Sequence, residues 1–422
     1  MINTDHHFLQ GKEVLLFQLL NNNIARKTEA FLFTLVWAAL NSKDAFEEVS
    51  RDVSQKLVMS IMNSLERHLN KDALIMAGLT DHEVIYRDDL LSVYHYYPLN
   101  DKEIKIGNHS IPVQKNQYRI PLVCIPPLLA PGFAFDLFPE RSLVRYFLAK
   151  GFQVYLVDFG SPDKSHSHLS FEHYILEWMP ASLKAIREHS GESDLSLFGY
   201  CMGGLFCLLY ASIHQDQDIK NLVTVASPID MHQMGAAGRV FSIAALPAYL
   251  LARWLHLSLR DIDPKYMHVP GKLGTLAFYL TNPLGVFKSY WDLLLNLWDR
   301  NYVAVHESLG FWINNLLDYP GATIQEIIVQ MGLGNKLARK GKMKIGQKEA
   351  ILKNINCSIL SFAGESDEIV PINAAHKIMD VISSSEKRFY VVPGGHVGLI
   401  VGSQAPEHLW QLSTDWLSKR SA

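Results

Sequence analysis

"SLFGYCMGGLF", Ser196 to Phe206, decides how the rest of the chain is read. An apolar, strand-like run meets Gly199, one residue, Cys201, one residue, then Gly203 and Gly204 ahead of a helix-period segment. That is the outline of a nucleophile elbow, a sharp strand-to-helix turn whose flanking glycines let backbones approach closely. The helix opening there offers amide donors and a positive end, which together favour an anion. A cysteine on the turn is thereby biased toward the thiolate, the form that attacks. A buried structural cysteine beside a glycine turn would give the same string, so the elbow needs partners elsewhere.

Working outward, helical and strand periods alternate. A helix from about Arg141 to Lys150 precedes the strand "FQVYLVDFG", a helix over Phe171 to Glu188 precedes "DLSLFG", and the helix after Cys201 leads to "NLVTVASP". Upstream, "HEVIYRDD", "LSVYHYYP" and "IPLVCIPP" read as strands; downstream, "CSILSFAGESDEIVP" and "KRFYVVPGGH" add strands before a closing helix around "EHLWQLSTDWLSKR". This alternation predicts a doubly wound, mostly parallel sheet. Two helical regions frame it. Residues 1–80, with "FLFTLVWAAL" and "VMSIMNSLERHL", form an N-terminal helical appendage, and residues 81–422 form the catalytic domain, with a helical cap insertion over about 231–353. The apolar stretch from Val240 to Leu257 is interrupted by Pro247 and Arg253 and reads as a buried or surface-docking helix, not a membrane span.

The chain supplies an acid and a histidine in the order the elbow requires. "FAGESDEIVP" places Asp367 in a turn after an apolar run, and "VVPGGHVGL" places His396 just after the next strand, 29 positions on. Alone, each has an ordinary explanation, a solvated turn carboxylate or a loop histidine. Nucleophile, acid and histidine in that order at successive strand ends predict an α/β-hydrolase fold with Cys201, Asp367 and His396 as the catalytic triad. The oxyanion site needs two amides, expected from Met202 and from Leu128 or Leu129 in "PPLLAPGF". Asp158 in "LVDFG" reads as a carboxylate tying down its loop.

Composition excludes other classes. With 48% hydrophobic and 19% charged residues and a net charge of -3, the chain is globular and lacks the basic excess of a nucleic-acid binder. Cys124, Cys201, Cys207 and Cys357 lack CxxC spacing, so neither a disulfide framework nor a cysteine zinc site is expected. The N-terminal residues lack the pattern of a signal peptide, which leads to an expected cytoplasmic location.

"GYCMGG" resembles the lipase-like box of the polyhydroxyalkanoate synthases. "PERSLVRYFLAKGFQVYLVDFGSPD", "NLVTVASPIDMH", "GNKLARKGKMKIGQKEAILKNINCSILSFAGESDEIVP", "GGHVGLIVGS" and "HEVIYRDDLLSVYHYYP" resemble further segments of that family. The similarity runs over roughly Thr80 to Arg420, and the catalytic domain is most similar to the class III type. The resemblance implies that Cys201 carries the acyl group, that His396 is the general base and that Asp367 is the acid. It implies a hydroxyacyl-CoA substrate with no separate cofactor and no metal. As partners it implies a polyester granule surface and a homodimer or second synthase subunit. Glu368, Phe159 and "LLAPGF" depart from the family's usual residues, which bears on the substrate pocket.

Cysteine suits such a reaction. A serine would hold the acyl group as a less reactive oxygen ester, whereas cysteine exchanges one thioester for another and keeps the acyl group activated for transfer to a hydroxyl. Alternatives are a cysteine-dependent thioesterase, esterase or polyester depolymerase, a transferase of single acyl groups, and a scaffold without turnover. "ARKGKMK", Ala338 to Lys344, is a candidate for the CoA phosphates, though a basic run is more often a solvated face.

Overall fold

The computed structural model describes residues 43–107, 109–235, 261–281 and 283–421. "FLFTLVWAAL" and the stretch Val240 to Leu257 therefore lie outside the described residues. The chain forms two compact units, one of residues 1–71 with 291–303, the other of residues 72–290 with 304–422.

Among the described residues the larger unit has twelve strands: β1 (His82–Asp88), β2 (Leu91–Tyr96), β3 (Glu103–Ile106), β4 (His109–Pro112), β5 (Leu122–Ile125), β6 (Val154–Asp158), β7 (Leu195–Tyr200), β8 (Ile219–Val225), β9 (Lys342–Ile345), β10 (Lys348–Ile351), β11 (Ser358–Gly364) and β12 (Lys387–Val392). Eight of them make one sheet in the order β1-β2-β6-β5-β7-β8-β11-β12. β2 runs antiparallel to both neighbours, and the remaining pairs are parallel. The predicted α/β-hydrolase fold is thus the observed one.

Sequence pattern explains the layering. β5, β7 and β11 are buried along their whole length, as central strands covered on both faces must be. Alternate residues serve the two faces. Val123, Ile125, Leu195, Leu197, Leu222 and Ile359 pack into one core, while Leu122, Cys124, Phe198, Val223, Leu360 and Phe362 pack into the other. Polar side chains inside the sheet pair across strands. Asn221 bridges Ser196 and Ser358 at 2.9 and 2.6 Å, and the Thr224 and Ser361 hydroxyls meet at 2.7 Å, so none of these groups is buried unpaired.

The insertion after β8 carries helices at Gly271–Thr281, Pro283–Leu295, Arg300–Asn314, Gly321–Glu326 and Lys336–Lys340. The helical reading to about Lys353 is corrected at its end, where β9 and β10 form an antiparallel hairpin closed by Gly346 at φ +53°. In β9 the buried Met343 and Ile345 alternate with the exposed Lys342 and Lys344, a period of two, and in β10 Ala350 is buried after the exposed Lys348 and Glu349. "ARKGKMK" spans the preceding helix end and β9, and Lys342 pairs with Glu349 at 3.3 Å.

The smaller unit is centred on the helix Lys43–Leu69. Asn63 Nδ2 donates to the Leu297 carbonyl at 2.6 Å, Arg300 makes a two-pronged pair with Glu66, and the Lys56 ammonium lies 5.0 Å from the Trp298 ring centre. Among the described residues, no helix is long and apolar enough to cross a membrane.

Candidate active site

β7 ends at Tyr200, and Cys201 follows as the residue capping the helix Met202–His214. Its backbone sits at φ +52°, ψ -119°, a conformation that costs a non-glycine residue of the order of 1–3 kcal/mol. The surrounding structure holds it there: the Cys201 amide donates to the Val225 carbonyl at 2.8 Å, and its own carbonyl accepts from Leu205 N–H at 3.2 Å. The three elbow glycines are required by contact, not by φ. A Cβ on Gly203 would overlap the carbonyl oxygens of Ile125 and Pro126 at the end of β5, one on Gly204 would overlap the Ser227 hydroxyl, and one on Gly199 would lie 2.5 Å from Gly204 Cα. β5, β7, β8 and the helix therefore meet backbone to backbone beneath Cys201.

The acid and the histidine arrive from the next two parallel strands. Asp367 follows β11, with its side chain fully shielded from solvent. One carboxylate oxygen accepts the Ile369 and Val370 amides at 2.9 and 2.8 Å; the other lies 2.8 Å from His396 Nδ1. With Nδ1 occupied, the imidazole has Nε2 left, and the Cys201 side chain is close enough to act on the charge of the ring. Burial alone would push the imidazole toward neutrality, but the Asp367 and Cys201 charges and hydrogen bonds outweigh it and raise the His396 pKa to about 10. The structure thus brings together Cys201, Asp367 and His396, the three residues singled out from sequence.

The raised value has a definite sign in stability. An ordinary histidine titrates near 6.5, so the imidazolium contributes stability that is fully present below about pH 6.5 and is lost as pH rises through about 10. Followed by the carbon-bound ring protons in NMR, His396 is expected to stay protonated through neutral pH and release its proton near 10. In Asp367→Asn the release should fall by more than one pH unit. Release near 6.5 in the unsubstituted protein would contradict this arrangement.

Met202 and Leu128 are both buried beside the thiol-bearing turn. Met202 is the first residue of its helix, so its amide has no acceptor within it. Leu128 follows β5 in the loop against which Gly203 is pressed. Part of the cap lies on that loop: Leu317 N–H donates to the Leu129 carbonyl at 2.8 Å, and Gly274 comes close enough that a Cβ there would lie 3.1 Å from the Leu129 side chain. Asp158 accepts the Gly160 amide at 2.9 Å, the loop-tying contact read from sequence, and burial raises its pKa against that amide's lowering effect. Phe159 packs within an aromatic group of Tyr174, Trp178 and Phe206. Glu368 is exposed beside the buried acid, and its carbonyl abuts Gly235.

Two tyrosines escaped the sequence reading. Tyr200 is buried below the elbow, donates its hydroxyl to the His396 carbonyl at 3.0 Å, and places its ring 5.1 Å from the imidazole. Strand alternation gives Tyr200 its face but not its partner. Tyr319, in the insertion, exchanges backbone hydrogen bonds with Val269 at 2.8 and 3.0 Å and is close enough for the Cys201 charge to raise its pKa, after burial as the main cause. Only the folded chain brings residues 201 and 319 together.

Residues 120–251 match the family model described as alpha/beta hydrolase fold. The poly(3-hydroxyalkanoate) polymerase subunit PhaC of Thiocystis violacea is 28% identical over 359 residues, covering 85% of this chain and 93% of that protein. Its counterpart in Synechocystis is 28% identical over 87% of this chain and 92% of that protein. The counterpart in Haloferax mediterranei is 26% identical over 82% of this chain, which spans only 65% of that longer protein. A monoglyceride lipase from Saccharomyces cerevisiae, solved with a substrate analogue, superposes over 82% of this chain and 97% of its own with a TM-score of 0.50 at 15% identity, a likeness of fold. Sheet order, elbow and the family model give the chain the α/β-hydrolase fold, and over most of its length its sequence is similar to the poly(3-hydroxyalkanoate) polymerase subunits PhaC.

Proposed function

We propose that the chain is a polyhydroxyalkanoate synthase, which moves 3-hydroxyacyl groups from CoA thioesters through an acyl-cysteine onto a growing polyester and releases CoA. The observation that carries this reading is the cysteine on the elbow, charge-coupled to His396, in a chain whose relatives are named as poly(3-hydroxyalkanoate) polymerases. The Cys201 thiolate attacks the thioester carbonyl, the carbon–sulfur bond to CoA breaks, and the His396 proton passes to the departing CoA sulfur. A 3-hydroxyl group of another hydroxyacyl unit then attacks the acyl-cysteine. Its proton goes to His396, an ester forms, and Cys201 is released as the thiolate. Asp367 orients the imidazole and balances its charge in both halves. Met202 and Leu128 amides are assigned to the oxyanion of each tetrahedral intermediate.

In this reading the insertion, whose Leu317 and Gly274 contact Leu129 in the loop after β5, serves to keep water from the acyl-cysteine. No cofactor is assigned beyond the CoA that belongs to the substrate. A polyester granule surface, and a second copy or second synthase subunit, are the partners this reading implies. The test is incubation of the purified protein with 3-hydroxybutyryl-CoA, following free CoA with a thiol reagent and the acyl product by mass. Oligomeric ester is expected. Free 3-hydroxybutyrate as sole product would replace the synthase by a thioesterase.

A further inference from the structure

Glu83 on β1, His95 on β2 and His189 in the last turn of the helix Met179–Ser190 converge on one point. One donor atom from each lies within 4.8 Å of the other two. The strand pairing dictates this: Glu83 is the cross-strand partner of His95, and His95 in turn is the partner of Tyr155 on β6. A single carboxylate oxygen of Glu83 lies 3.1 Å from His95 Nδ1 and 3.5 Å from His189 Nε2. Ligand atoms around a tetrahedral zinc ion, with bonds of about 2.0–2.1 Å, stand roughly 3.3 Å apart. Both separations already match that spacing.

The surroundings fix which atoms are presented. Tyr155 Oη lies 2.9 Å from His189 Nδ1, which turns Nε2 toward Glu83. A hydroxyl can accept as well as donate, so the proton can move to Nδ1 when Nε2 binds an ion. The rings of His95, Tyr155 and His189 pack in a triangle, with His95 4.9 Å from Tyr155 and 4.7 Å from His189 and those two 5.7 Å apart. The cluster is open on one side, since the Glu83 side chain is 40% exposed and that of His189 33%, which leaves room for water as a fourth ligand.

We propose that Glu83, His95 and His189 form a binding site for a divalent transition-metal ion of the zinc type. Two imidazoles and a carboxylate with an open position are a borderline donor set that favours zinc, cobalt or copper over magnesium or calcium. The site is separate from the acyl-transfer chemistry. On antiparallel β2, Ser92 pairs with Asp158 at the carboxyl end of β6, the sheet edge that carries Cys201, while His95 pairs with Tyr155 toward the opposite end. An ion there would clasp the β1–β2 hairpin at the sheet edge to the helix behind it.

The test uses chelator-treated, full-length Cys201→Ala protein, so that the elbow thiol does not compete. Zn2+ is titrated by calorimetry, and Co2+ is followed by visible absorption. One equivalent of Zn2+ is expected, with at least a tenfold loss of affinity in each of Glu83→Gln, His95→Ala and His189→Ala, and a loss of about tenfold in Tyr155→Phe, whose ring packing is retained. Co2+ should give d–d bands without the near-ultraviolet band of thiolate ligation. No saturable binding, binding unaltered in all three ligand variants, or a thiolate band would each overturn the proposal.

Discussion

Cys201→Ala is expected to lower CoA release from 3-hydroxybutyryl-CoA by at least about 10,000-fold while the protein stays folded. Removing the nucleophile of a cooperating triad leaves only the contribution of substrate binding and oxyanion stabilisation, so the loss approaches that of removing all three members. The side chain is half-buried and alanine is smaller, so no new clash arises. The strained backbone at φ +52° remains, held by the Val225 carbonyl and the packed glycines. Cys201→Ser is the sharper variant. An oxygen ester at that position transfers its acyl group to a hydroxyl less readily than a thioester does, so a slow first acylation followed by stalling is expected, visible as a stable acyl-serine. Steady CoA release by either variant would remove Cys201 from the chemistry.

The second large effect is expected at Gly203, where no catalytic group is touched. A methyl group there meets the carbonyl oxygens of Ile125 and Pro126, which are backbone atoms of a buried strand end and cannot swing aside. Gly203→Ala must therefore move the helix start away from β5, at about 1–3 kcal/mol of stability. The same shift separates the Met202 amide from the loop carrying Leu128. A displacement near 1 Å at the reacting centre corresponds to about a 100-fold loss of rate. Measured by denaturant unfolding and CoA release together, the variant should lose both, whereas Gly274→Ala, which faces only the flexible Leu129 side chain, should lose little stability. Unchanged activity in Gly203→Ala would show that the elbow does not set the geometry of the site.

The sequence signals that proved readable are those in which one physical constraint leaves a local trace. Buried parallel strands left continuous apolar runs, the elbow left glycines at fixed offsets, and Asp367 and His396 stood where strands end. Signals were lost where the trace is short or the partner remote. β9 and β10 have four residues each and carry Lys342, Lys344, Lys348 and Glu349 on their exposed positions, so the hairpin was hidden inside a short charged run beside helical segments. The β3–β4 hairpin, equally short, left no distinct run. Tyr200 was in view as part of the elbow, yet its contact with the His396 carbonyl spans 196 positions. Glu83, His95, Tyr155 and His189 were ordinary polar residues in sequence until strand register and a helix end brought them together.

In the proposed function Cys201 carries the growing polyester. That role is tested most directly by quenching the protein in acid after brief exposure to 3-hydroxybutyryl-CoA, digesting it, and weighing the peptide that contains Cys201. Thioester adducts on that cysteine are expected in a ladder of successive hydroxybutyryl units, absent in Cys201→Ala and lost on treatment with hydroxylamine. An unmodified Cys201 peptide alongside released CoA, or a ladder attached to another residue, would contradict it.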